Sequence, residues 1–161
     1  MKTNSLIAYF SYSGNTGTVA GMVAELTGGT LFRIDPTVKY PGEYRACTEA
    51  AQRELREGAR PTLKNLPDGI VQFDAIILGY PNWWGTMPMP VWTFLEAFDF
   101  GGKKILPFCT NEGSGMGNSA RDLKALCPTA DVRAGLAIRG SRVADARPAL
   151  RGWLERNLGK D

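Results

Sequence analysis

At 161 residues, with 43% hydrophobic and 22% charged content, the chain has the size and composition of one globular domain, residues 1–161, around a continuous core. It contains no histidine, which excludes Ser-His-Asp hydrolysis and HExxH metal chemistry and removes the commonest general base. The net charge of +3 sits in the C-terminal region, where residues 131–161 hold seven Lys/Arg against four Asp/Glu; Arg139, Arg142, Arg147 and Arg151 read there as a solvated face, with an acidic partner or a nucleotide phosphate as the alternative, and nucleic-acid binding gains little support.

The first element is a continuous apolar run, Leu6 to Phe10, too short for a signal peptide or a membrane span and typical of a strand covered on both faces. Val19, Met22, Val23 and Leu26 then fall on one stripe of a helix that stops at Gly28-Gly29. Thr30 to Asp35 reads as a second strand. Tyr44, Cys47, Thr48, Ala51 and Leu55 make a second helical stripe closing at Gly58, and residues 59–68 form a connector.

A third strand is expected over Phe73 to Tyr80, followed by a short helix carrying Val91, Phe94, Leu95 and Phe98, with Pro88 or Pro90 in its first turn. Lys104 to Cys109 is strand four, although Pro107 lacks a ladder donor, so pairing should end or bulge there. Asn118 or Ser119 caps a fourth helix with Leu123, Leu126 and Cys127, Asp131 to Ile138 forms strand five, and Asp145 caps a last helix with Leu150, Trp153, Leu154 and Leu158. Five strand–helix units without repeats predict an α/β fold: an open, doubly wound parallel sheet, whose ligands bind beyond the carboxyl ends of the strands.

Three loops meet that rule with a shared chemistry. The first, within "IAYFSYSGNTGTVA", crowds Ser11, Tyr12, Ser13, Gly14, Asn15 and Thr16 before a helix N-terminus, with no charged residue, so a ligand there would meet neutral donors alone. It lacks both GxxxxGK[ST] and GxGxxG, which favours a single terminal phosphate over a triphosphate or a dinucleotide; an ordinary cap by Ser13 or Asn15 is the plainer alternative. The second, "GYPNWWGTMPMP", offers Trp83 and Trp84 beside Gly85, as a flat ligand's wall or as a lid on the core. The third, "CTNEGSGMGNS", brings Gly113, Ser114 and Gly115, either to present backbone groups to a ring edge or as a flexible lead into a helix cap. Cys47, Cys109 and Cys127 show no CxxC spacing and read as buried small hydrophobes; with the absence of any apolar leader this predicts a cytoplasmic location.

On "YFSYSGNT", "GYPNWWGTMPMPVWTFLE", "PFCTNEGSGMGNS" and the connector "EGARP", the chain resembles the flavodoxin family along nearly its whole length. The resemblance implies a three-layer, five-stranded parallel sheet in the order 2-1-3-4-5 and an FMN site. Ser11, Ser13, Gly14, Asn15 and Thr16 would hold the phosphate, with Tyr12 beside them. Pro81, Asn82, Trp83, Trp84 and Gly85 would line the isoalloxazine, with the Gly85 backbone near its N5. Thr110, Glu112, Gly113, Ser114 and Gly115 would meet its pyrimidine edge.

The flavin would carry the redox chemistry, so no catalytic side chain and no metal are expected. The implied function is electron transfer with a redox partner protein or a small-molecule acceptor. An NAD(P)H-dependent quinone reductase is the alternative and a ligand-binding module without turnover the second; the Trp83-Trp84 loop is also a place where a second subunit could pack. Carrier flavodoxins are typically strongly acidic, and this mildly basic chain departs from them. A receiver domain is disfavoured because strand three ends in Gly79-Tyr80-Pro81 without a phosphoacceptor Asp, and a low-molecular-weight phosphatase because Cys109 begins no CxxxxxR loop.

Overall fold

The computed structural model describes residues 4–159. In chain order it holds β1 (Ser5–Tyr9), α1 (Asn15–Thr27), β2 (Thr30–Arg33), α2 (Tyr44–Glu57), β3 (Ala75–Pro81), α3 (Met89–Glu96), β4 (Lys104–Asn111), α4 (Ser119–Leu126), β5 (Asp131–Val132), β6 (Leu136–Arg139) and α5 (Arg147–Leu158), with a 3-10 helix over Gly140–Asp145 before α5. All strand pairs are parallel, in the order β2-β1-β3-β4-β5, and β6 also pairs with β4.

Period-2 alternation divides the core between the two faces of this sheet. Leu6, Ala8, Phe10, Ile76, Leu78, Tyr80 and Ile105 point to the side where α3 brings Val91, Phe94 and Leu95 and α4 brings Leu123. Ile7, Ile77, Leu106 and Phe108 point to the other, against Val19 and Val23 of α1 and Leu150, Trp153 and Leu154 of α5. Every loop that follows a strand's carboxyl end therefore emerges on one edge.

Two local readings change. The fifth strand is not one run: Lys104 and Ile105 pair with Asp131 and Val132, then Phe108 to Asn111 pair with Leu136 to Arg139, so one extra residue is inserted between the segments. The cause is Pro107. The Ile105 carbonyl accepts from Arg133 N–H at 2.9 Å, so by alternation residue 107 also faces the fifth strand, where its missing N–H interrupts the ladder, while β3 still pairs across Leu78 and Pro107. Asp145 does not cap α5: it ends the 3-10 helix, and Ala146 takes the cap position with no side-chain bond.

All three cysteines are buried and unbridged. Burial pushes the Cys109 thiol up to about 12 and the Cys127 thiol up to about 11. In the unfolded chain both ionise near pH 9, so above that pH the unfolded state holds fewer protons than the native one and stability falls, until the folded values are passed. The loss at pH 10 should be about 1 kcal/mol per thiol relative to pH 8. Urea midpoints at the two pH values check it, and a midpoint that does not move would refute it; Cys109→Ala should make the dependence shallower.

Candidate functional site

The first loop leaves β1 and turns into α1 at Gly14, whose φ of 103° suits only glycine and puts the helix start at Asn15. No side chain caps this helix in the ordinary way, which sets aside the simple Ser13 or Asn15 cap. Its amides at Asn15 and Thr16 have no carbonyl partner one turn back. The hydroxyls divide by direction. Ser11 Oγ accepts from Gly17 N–H at 3.1 Å, and Thr16 Oγ1 pairs with Thr110 Oγ1 at 2.8 Å, both from buried side chains. Ser13 and Asn15 face the cleft. The loop itself is neutral, but Arg33 of β2 donates through Nη2 to the Ser11 carbonyl at 3.1 Å, so a cation backs the anion end after all.

The second loop closes as a tight turn, with Trp83 N–H donating to Thr86 O at 3.0 Å and both central residues at positive φ: Trp84 at 57° and Gly85 at 84°. Trp84 is the one non-glycine described residue in that region. The two tryptophans do different work. Trp83 lies edge-on to Tyr40, Phe10 and Tyr12, with centroids at 4.9, 5.1 and 5.8 Å, and thereby roofs the core. Trp84 points outward and sends its indole N–H to the Thr48 carbonyl of α2 at 2.9 Å.

Asn82 fastens this loop to the third. Its Nδ2 donates to Gly115 O at 3.0 Å and Ser114 Oγ at 3.1 Å, its Oδ1 accepts from Gly85 N–H at 2.9 Å, and its own N–H donates to Thr110 O. Asn118 N–H donates to Gly85 O at 2.6 Å. Both backbone polar groups of Gly85 are thus engaged inside the protein. Behind these loops Tyr80 OH donates to Ser119 Oγ at 2.9 Å, and burial raises the phenol's pKa; the same Ser119 Oγ donates to Met116 O.

The three loops and the first turns of α2 enclose a cleft of about 720 Å³. Of the residues expected from sequence, Tyr12, Ser13, Asn15, Pro81, Asn82, Trp83, Trp84, Thr110, Glu112 and Ser114 line it; Ser11, Gly14, Thr16, Gly85, Gly113 and Gly115 do not, although Ser11, Thr16, Gly85 and Gly115 take part in the hydrogen bonds that hold the three loops. Glu112 lies at the Asn15 end. A Cβ on Gly140 would come within 2.2 Å of Glu112 Oε1 and 2.6 Å of Asn15 Nδ2, so glycine there is what lets these two side chains approach. The wall formed by Tyr44, Cys47, Thr48 and Ala51 is new. Their spacing is legible as a helix stripe, but the same stripe serves a core or a cleft.

The cleft is chemically polarised. One end has free helix-start amides, Ser13 and Asn15, with Arg33 behind the loop set against the Glu112 carboxylate beside Asn15, and its neutral donors suit a phosphate dianion. The other has Tyr12, Trp83, Trp84 and Pro81, and suits a flat ring. The donor set, the αL glycine and the aromatic walls fit FMN.

A family model described as flavodoxin matches residues 4–157. A flavoprotein of Bacteroides eggerthii is 30% identical, with a TM-score of 0.83, over 98% of this chain and 99% of that one. A flavoprotein of Bacteroides uniformis is 29% identical, with a TM-score of 0.84, over 96% and 99%. A flavoprotein of Lactobacillus acidophilus in complex with FMN shares the fold at 20% identity and a TM-score of 0.70, over 91% and 99%. No curated protein matches the chain.

Proposed function

The chain belongs to the flavodoxin family, and from that premise we propose that it binds FMN in the cleft and serves in electron transfer. The observation that carries the reading is the joining, in one cleft of about 720 Å³, of a helix-start anion end to an aromatic ring end. Bound FMN supplies the electron-accepting and electron-donating chemistry, which needs no histidine or thiolate from the protein.

The residues' tasks follow from their directions. Ser13, Asn15 and the free amides of α1 bind the phosphate, with Arg33 holding the carbonyl of Ser11 and adding positive potential behind the loop. Thr16 and Thr110 pin the first loop to the third, and Asn82 pins the second to the third, so the ring's slot is set before a ligand enters. Trp83 and Trp84 exclude water from it. The buried, unbridged thiols support a reducing compartment, the cytoplasm; no described helix is long and apolar enough to cross a membrane.

Titrating the purified, flavin-free protein with FMN and following the visible spectrum tests this. Saturable, stoichiometric uptake is expected, and a chain that never takes up FMN would end the proposal. The double variant Ser13→Ala/Asn15→Ala should lose on the order of tenfold in FMN affinity, the worth of two partly exposed polar contacts. Its riboflavin affinity, which involves no phosphate, should stay at the parent's value. An equal loss for both ligands would place these side chains elsewhere than at the phosphate.

A further inference from the structure

Trp84 holds a φ of 57° in a tight turn whose other central residue, Gly85, has φ 84°. Positive φ at both central positions is the type I′ form, which asparagine and glycine favour and a bulky side chain adopts only under strain. The surroundings hold that strain in place. Trp83 and Thr86 exchange both backbone bonds across the turn, at 3.0 and 3.3 Å, Gly85 N–H donates to Asn82 Oδ1 at 2.9 Å, and Gly85 O accepts from Asn118 N–H at 2.6 Å. The indole is fixed as well, by its bond to Thr48 O at 2.9 Å.

A two-residue turn has a second form, reached by turning over the peptide between its central residues. Here that peptide joins Trp84 to Gly85. Turned over, it would make a type II′ turn, whose first central position is open to glycine and strained for any residue with a Cβ. Trp84 therefore keeps Gly85 N–H facing Asn82, which lines the cleft, and keeps its own carbonyl, antiparallel to that N–H in a trans peptide, on the opposite side.

This lock bears on a bound flavin. One electron with one proton at N5 gives a neutral half-reduced ring and turns N5 from an acceptor into a donor; a second electron gives the fully reduced monoanion. When two half-reduced rings exchange an electron, they form one oxidised and one fully reduced ring and release one proton to water. Two N5–H donors thereby become one, so a wall that offers N5–H no free carbonyl favours the exchanged pair. On the second loop the carbonyls of Trp83, Gly85 and Thr86 are each engaged, and that of Trp84 is turned from Asn82.

Resting on the FMN reading of this cleft, we infer that Trp84 is a positioning residue that locks the second loop in one turn form, so that the bound flavin moves between its oxidised and fully reduced states two electrons at a time and serves donors and acceptors of electron pairs.

The test is an anaerobic titration of the FMN-loaded protein with dithionite, which supplies the electrons while water supplies the proton, followed by the visible spectrum. In the parent, half-reduced flavin should stay below about a tenth of the total at the midpoint. Trp84→Gly frees the peptide to turn over and should stabilise the half-reduced ring about tenfold, the worth of one hydrogen bond gained at N5, raising its share to about a third. Trp84→Ala, which removes the indole but keeps the Cβ, should behave as the parent does. A parent that accumulates half-reduced flavin, or a Gly variant that does not, would overturn the inference, as would equal accumulation by the Ala variant, which would trace the effect to the lost indole. Each of these leaves FMN binding standing. A chain that takes up no flavin, evident from its spectrum before the first addition, would overturn the cofactor reading and this inference with it.

Discussion

A Gly79→Ala chain is expected to lose about 3 kcal/mol of stability, enough to lower its melting temperature by about 10 °C for a domain of this size. Gly79 sits in the middle of the sheet, paired with Tyr9 on one side and Phe108 on the other. A Cβ at this position would lie 2.1 Å from Phe108 Cζ and 2.6 and 2.7 Å from its two Cε atoms, inside the ring itself. The ring has no room to retreat, because Trp153 of α5 packs edge-on to it with centroids 6.4 Å apart and both side chains are buried. The glycine is a packing requirement: it makes the hollow in which Phe108 joins the sheet to α5. Because the far end of the ring causes the overlap, Phe108→Leu should relieve it. The double variant is expected to be more stable than the sum of the two single losses predicts, by at least about 1 kcal/mol. Denaturant melts of the four chains measure this coupling. A Gly79→Ala chain as stable as the parent, or strictly additive losses, would contradict the packing account.

The elements that sequence locates best are those whose signal is entirely local. Leu6 to Phe10 and Ala75 to Leu78 are continuous apolar runs because both faces of their strands are covered, and the Val19, Met22, Val23, Leu26 stripe is cut off at Gly28 by a glycine at φ 70°. Pro107 announces an interruption of pairing, and the gap opens in the neighbouring segment at residues 133–135, where Gly135 is the one local mark of a bulge. The site divides in the same way. Residue types in the first loop suit an anion, while the direction of each hydroxyl depends on partners far along the chain: Thr16 turns inward because Thr110 meets it, 94 residues later. Arg33 and the α2 wall were illegible for the same reason. An arginine ending an exposed edge strand and a stripe of Tyr, Cys, Thr and Ala become part of the site only when the sheet order places β2 and α2 beside the first loop.

Gly117→Ala should reduce FMN affinity on the order of 100-fold while costing the free protein about 1 kcal/mol or less. Gly117 has φ 58°, a left-handed conformation strained for alanine, and its Cβ would stand 2.6 Å from Gly85 O and 2.9 Å from Gly85 C and Cα. Backbone meets backbone here, so no rotamer change relieves the contact. In the free protein the second and third loops can separate slightly at the surface, giving up the Asn118 N–H to Gly85 O bond and loosening the hold of Asn82 on Gly115. Loops at this edge open at little expense to the sheet beneath them. A bound ring requires the loops closed, so the deferred strain, about 2–3 kcal/mol, is charged to binding. The loss falls at the ring end, so riboflavin affinity should fall by the same factor as FMN affinity, opposite to the behaviour of Ser13→Ala/Asn15→Ala. Titrations with both flavins and a urea melt separate these terms. Parent-like affinity would show that the two loops do not have to meet at Gly85 and Gly117 for the ligand to bind, and an affinity loss matched by an equal loss of fold stability would show that their junction supports the whole domain and not the slot alone.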